Sequence, residues 1–112
     1  MSQAIILPHF RKQLKRYLKK YRHLKSGVIT ALENFSPARG LHIGNHVYKI
    51  RIITKDINRG KSKSFRLLIM VIEVEHYLVP ITIYFKGDRA NITEKELNAH
   101  LEIILWELRS VK

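Results

Sequence analysis

Cysteine is absent from this 112-residue chain, which excludes disulfides and thiolate zinc sites. No apolar run reaches the ~18 residues that a membrane span needs. The opening MSQAIILPHF also lacks the basic stretch that precedes the apolar part of a secretory signal. These absences predict a soluble, cytoplasmic protein with no membrane partner. Internal repeats, low-complexity tracts and linker-like stretches are missing too, so residues 1–112 read as one domain, and a hydrophobic content of 46% is enough for a packed core.

Acidic residues are the other scarcity. Nine Asp and Glu stand against 21 Lys and Arg, for a formal charge of +12. A field of that sign predicts a polyanionic partner: nucleic acid, an acidic protein segment or an anionic surface. Its distribution is uneven. Residues 1–45 hold nine basic and one acidic residue, 46–66 hold seven and one, and 67–112 hold five and seven. The positive field therefore belongs to the first two-thirds of the chain.

Hydrophobic periodicity divides the chain into alternating elements. Residues 3–7 suggest a brief strand before Pro8. From His9 to Lys25 the apolar residues Phe10, Leu14, Tyr17, Leu18, Tyr21 and Leu24 recur at helical spacing. The opposite face of that helix carries Arg11, Lys12, Lys15, Arg16, Lys19, Lys20, Arg22 and Lys25, with no acid among them. Ser26-Gly27 predicts a break, with Ser26 as N-cap of a second helix that holds Val28, Ile29, Leu32 and Phe35 and ends at SPARG, 36–40. Three strands are expected over 46–54, 65–75 and 77–85. The last two would form a hairpin turning at His76, with Pro80 confined to a bulge or an outward-facing edge. Thr93 and Glu96 form a capping box, with Ile92 and Leu97 as its staple, and Leu97, Leu101, Ile104, Leu105 and Leu108 mark the buried stripe of a final helix. The fold class expected is α+β: a mainly antiparallel four-stranded sheet packed by two N-terminal helices and a C-terminal helix.

Within this frame the basic residues gather where chemistry is possible. Lys49 and Arg51, two apart on a strand, project from one face. The loop KDINRGKSKS, 55–64, adds Arg59, Lys61 and Lys63; Arg66 opens the next strand and Lys86 follows the last. In a meander such positions converge on one end or face of the sheet. The GKS triplet at 60–62 is not a Walker A motif, because position 55 is Lys where glycine is required and a strand, not a helix, follows. His42, His46 and His76 are competing candidates for a general base, with surface or loop histidines as the default. No carboxylate is spaced to complete a metal site with them, so neither metal nor cofactor is expected. Glu73 and Glu75 are expected on a solvent face or at the hairpin end, and Trp106, Tyr17 and Tyr21 in helix packing rather than base stacking.

The order Lys49-Ile50-Arg51, Gly60-Lys61-Ser62, Arg66, Ile83-Tyr84, Lys86 and Asn91 to Leu97 resembles the RelE/HigB superfamily of type II toxins. The lysine-rich FRKQLKRYLKKYRHLK near the N-terminus resembles that family's first helix, so the similarity covers about residues 10–105. The chain departs from the pattern at Lys63-Ser64, where a Gly-Gly is usual, at Phe65, where a small residue is usual, and at Ile69, where an aromatic is common.

The resemblance implies a RelE-like fold and a toxin that enters the ribosomal A site and cuts mRNA by attack of a ribose 2′-hydroxyl on the adjacent phosphate. Such a reaction needs proton removal, stabilisation of a more negative phosphorane and protonation of the departing oxygen. Carried over residue by residue, Lys49 would be the base or assist it with Arg51 alongside, Arg66 would stabilise the phosphorane, and Lys86 would lie near the leaving oxygen. Arg59, Lys61 and Lys63 would bind the RNA backbone. The partners implied are mRNA and ribosomal RNA, and a cognate antitoxin whose acidic segment covers the basic helix face; operator DNA would be met only through the antitoxin complex. Two other readings stay open: a non-enzymatic gyrase inhibitor like the related ParE toxins, and a non-catalytic RNA- or ribosome-binding protein.

Overall fold

The computed structural model describes residues 2–57 and 64–111. The elements, in chain order, are β1 (Gln3–Ala4), α1 (Pro8–Leu18), α2 (Leu24–Glu33), a 3-10 turn (Pro37–Arg39), β2 (Leu41–Gly44), β3 (Val47–Ile52), β4 (Phe65–Ile72), β5 (Tyr77–Phe85) and α3 (Glu94–Ser110). The α+β class holds, but the sheet has five strands, not four, in the order β1-β5-β4-β3-β2. β1 runs parallel to β5 and every other pairing is antiparallel. The additional strand is β2. At four residues β2 is too short for its Leu41/Ile43 alternation to mark a strand, and those two side chains stay exposed; it pairs along the open edge of β3.

β4 and β5 are buried along nearly their whole length. Both faces of these central strands are therefore covered, which is why they read as continuous apolar runs rather than alternating ones. The hairpin turns where expected, with His76 at a positive φ of 58°. Pro80 sits at a register shift: Leu68 pairs with Thr82 and Ile69 with Pro80, so the strand bulges where its missing N–H would have broken the ladder.

The N-terminal helices differ from the expectation. The predicted helix from His9 to Lys25 is interrupted, with α1 ending at Leu18 and α2 beginning at Leu24, ahead of Ser26-Gly27. The cause lies 33 residues away in the chain. The Asp56 carboxylate accepts a 2.7 Å hydrogen bond from the backbone N–H of His23, at the start of α2, and a second contact from His23 Nδ1 at 3.0 Å. A helix start is satisfied by a distant acid instead of a local cap. Burial alone would raise the Asp56 pKa, but the hydrogen bonds from His23 and Thr54 outweigh it and hold the carboxyl below its ordinary value. Ser26 is not the N-cap; its hydroxyl donates to the carbonyl of His23 inside the helix. Gly27 is helical as well, and a Cβ there would stand 3.1 Å from both the Ile53 carbonyl oxygen and the Ile52 side chain. The glycine lets α2 lie directly on β3 rather than breaking the helix.

The interruption also places Tyr17 and Tyr21 edge-on against Phe65, each at a ring separation of 5.0 Å, with Phe85 completing the cluster at 5.1 Å from Phe65. The large side chain at 65 is thus accommodated by aromatics from the helical layer. These tyrosines serve packing, as expected.

α3 starts on the predicted capping box: Thr93 Oγ1 accepts from Glu96 N–H at 3.1 Å while Glu96 Oε1 accepts from Thr93 N–H at 3.0 Å. Arg89 adds two hydrogen bonds to the same carboxylate, at 2.8 and 2.6 Å. Arg89 first and Thr93 next pull the Glu96 pKa from near 4.5 to about 2. A depressed carboxylate contributes stability that is complete above its unfolded pKa and lost as pH falls through the folded one. The Tm difference between wild type and Glu96→Gln is therefore expected to be constant above about pH 5 and to shrink as pH falls toward 2, in thermal melts across that range. The predicted stripe is wrong at one position. Ile104 and Leu108 are buried and Leu97 and Leu101 half-buried, but Leu105 is exposed, and Trp106, expected in helix packing, is 66% exposed. α3 meets α1 through His9 Nε2 and His100 Nδ1, 2.7 Å apart; burial, chiefly, lowers the pKa of both rings.

Candidate functional site

β3 and β4 pair with Arg51 opposite Arg66 and Lys49 opposite Leu68. β4 and β5 pair with Arg66 opposite Tyr84. Residues opposite one another share a face of the sheet, so Lys49, Arg51, Arg66 and Tyr84 all project from the same side. The ladder runs one bond beyond β5, from Lys86 N–H to the Ser64 carbonyl at 3.0 Å. That bond brings the predicted fourth cation beside the other three. Among the described residues, no carboxylate forms an ion pair with any of the four.

Such an arrangement is unfavourable by itself. Like charges directly opposite on neighbouring strands destabilise a sheet, and Arg66 is 7% exposed. Burial first, then Arg51, lowers the pKa of Arg66. Its guanidinium is held back along its own strand, where Nη1 donates to Ser64 Oγ at 2.6 Å and to the Phe65 carbonyl at 3.4 Å. Ser64, at a position where the resembling pattern has glycine, thus supplies an acceptor for the arginine. Lys49 is displaced in the same direction: burial first, then the charges of Lys86 and Arg66, holds its ammonium below the ordinary lysine range. The physical effect is an amine that loses its proton more readily than a surface lysine.

Two further residues belong to this cluster and were not among the predicted site residues. Asn91, just before the α3 cap, accepts at one side-chain oxygen from Lys49 Nζ at 3.2 Å, from the Tyr84 hydroxyl at 3.3 Å and from the Ile92 N–H at 2.9 Å. The Ile92 N–H can only donate, which settles which atom of the amide is the oxygen. Burial raises the pKa of Tyr84, against the opposing charges of Arg66 and Arg89, so its hydroxyl stays protonated. Tyr84 had a sequence signal, being two residues before Lys86 and hence on its side of the strand. Asn91 opens the stretch to Leu97 that carries part of the family resemblance, but nothing in the sequence pointed to its contact with Lys49, 42 residues back along the chain.

The competing histidines lie elsewhere. His42 stacks on Tyr48 at 4.8 Å, and His46 and His76 occupy turns with positive φ. No group of three or more metal-ligating side chains occurs among the described residues. Arg59, Lys61 and Lys63, predicted to bind a nucleic-acid backbone, lie outside the described residues. A cavity of about 460 Å³ between α2 and β3 is lined by Thr30, Phe35 and Ile53, and of the four cations only Arg51 reaches it. No helix among the described residues is long and apolar enough to cross a membrane.

Comparison with known proteins places the chain in a family. Residues 9–105 match the family described as the RelE toxin of the RelE / RelB toxin-antitoxin system. No curated protein matches the sequence. Among solved structures, the free state of a mutant E. coli RelE toxin is similar at 18% identity and a TM-score of 0.48, over 80% of this chain and 87% of that one. With the family match spanning all but the two ends, this chain belongs to the RelE toxin family of toxin–antitoxin systems.

Proposed function

We propose that the protein is a ribosome-dependent mRNA endonuclease, neutralised by a cognate antitoxin, and that Lys49, Arg51, Arg66 and Lys86 are its catalytic cations. The observation that supports this most is the face shared by the four, with no carboxylate among the described residues paired to any of them. Their mutual repulsion has no counterpart within the described residues, and a transferring phosphate would relieve it. Only RNA supplies the 2′-hydroxyl nucleophile that such a site needs.

In this reading Lys49, with its lowered pKa, takes the proton from the 2′-hydroxyl as its oxygen bonds to phosphorus. Arg66, with Arg51 beside it, stabilises the dianionic phosphorane. The bond to the 5′-oxygen then breaks, leaving a cyclic phosphate, and Lys86 supports the charge or delivers the proton there. Asn91 positions Lys49 and Tyr84 through one oxygen. Arg59, Lys61 and Lys63 bind the flanking RNA backbone. The acid-free face of α1 meets either ribosomal RNA, in a salt-sensitive contact, or the acidic segment of the antitoxin.

The position of Asn91 gives a signed prediction. Asn91→Asp keeps an acceptor for the Ile92 N–H but sets a carboxylate beside Lys49, which favours the ammonium. A base must be neutral, so the rising limb of the pH–rate profile is expected to move to higher pH by about one unit or more. An unshifted limb would assign Lys49 a purely electrostatic role.

The deciding experiment is translation of a defined mRNA in a purified system, with new 5′ ends mapped by primer extension. Cuts in register with codons support the proposal. Intact RNA together with gyrase–DNA cleavage complexes would replace it with the ParE-like reading. Intact RNA without growth arrest would leave a non-catalytic RNA-binding protein.

A further inference from the structure

Beside the cation cluster, the start of α3 and the β2–β3 hairpin enclose a cleft of about 320 Å³. Its apolar part includes Val47, which is buried, and Leu97 and Leu101, which are half-buried. Its polar part includes Asn91, Glu94 and Asn98, all exposed. Lys49 lines it as well, and is therefore common to the cleft and to the four-cation face.

We infer that this cleft is a nucleobase subsite, holding the base of a nucleotide whose phosphate is gripped at Lys49. The inference rests on the RNA-cleaving reading and adds where sequence preference would be set. Size is the first argument. The volume is at the small end of the ~300–1,000 Å³ typical of ligand sites, room for one ring system rather than a helix or a peptide strand. Charge is the second. The Glu94 carboxylate makes the cleft a poor seat for a second phosphate, whereas an uncharged ring with amino and carbonyl edges suits a carboxylate and two amides beside an apolar wall. The third is the orientation of Asn91. Its oxygen is occupied by Lys49, Tyr84 and the Ile92 N–H, so its amide nitrogen is the group left to donate to a ligand. Specific RNA readers use this combination, in which an unstacked base lies against apolar or aromatic side chains and its edge is read by amides and carboxylates.

The test compares nucleoside 5′-monophosphates with ribose 5-phosphate, using the full chain and amide NMR titrations. Both probes are expected to shift amides near Lys49 and Arg66. Only the nucleotides should shift Leu97, Asn98 and Leu101, and the preferred one should bind about tenfold or more tightly than ribose 5-phosphate, worth about 1.4 kcal/mol. Asn98→Trp, at an exposed helix position, should remove that advantage while leaving ribose 5-phosphate binding unchanged. Equal affinities with no response along Leu97–Leu101 overturn the base subsite and leave the phosphate grip standing. Failure of every probe to bind overturns both. Base-dependent binding without codon-positioned cleavage supports the subsite and overturns the endonuclease reading alone.

Discussion

Arg66→Met is expected to lower mRNA cleavage on programmed ribosomes by about 10²–10³-fold, the cost of removing one preorganised donor to a developing oxyanion. Methionine is chosen because it roughly keeps the volume of a side chain that is almost fully buried. It also removes one of two arginines facing each other across β3 and β4. Stability should therefore be unchanged or slightly raised while activity collapses. That opposition separates a functional cation from a structural one, since a residue retained for packing would lose both together. The measurement is single-turnover cleavage alongside a denaturant melt. Combining Arg66→Met with Lys86→Ala should bring cleavage to background, and wild-type cleavage in the double variant would remove these residues from the mechanism.

Phe65→Ala should have the largest effect on stability, about 3–5 kcal/mol, as for other fully buried phenylalanines. The ring is completely buried and meets Tyr17, Tyr21 and Phe85. Truncation leaves a cavity bounded by three aromatics that cannot all collapse into it, and edge-on pairs lose their own contribution as well. For a domain of this size the loss should lower Tm by about 12 °C or more. Phe65→Leu should recover most of it. A Tm change below a few degrees for Phe65→Ala would mean that the cluster does not hold the helical layer to the sheet. Although Phe65 precedes Arg66, the same truncation should reduce cleavage only in proportion to the unfolded fraction.

Local chemistry was legible wherever neighbours in sequence decide the outcome. The capping box of Thr93 and Glu96 needs three residues and no tertiary contact. The two central strands were plain in their apolar β-branched runs, and the missing N–H of Pro80 narrowed it to a bulge or an outward-facing edge, of which the structure shows the bulge. Lys49 and Arg51 shared a face by the period of two alone. Elsewhere the pattern was ambiguous by one residue. Leu105 neighbours Ile104 and is rotated from it by about 100°, little more than a quarter of a turn, so the spacing admitted both while the fold buried one.

Taken alone, then, the sequence determined the α+β class, the last helix and its cap, the acid-poor charge of the N-terminal two-thirds, and which cations had the spacing to act together. Only the tertiary structure decided that α1 ends at Leu18, because the cap of α2 is a carboxylate from a distant loop. It alone added β2, an exposed strand that follows from the open edge of β3 rather than from its own residues. And it alone joined Asn91 to Lys49 and Tyr84. The physical reason is common to all three. Periodicity and capping report on interactions within a few residues, whereas a cap, an edge pairing or a shared acceptor formed across tens of residues exists only once the sheet has set the register between them.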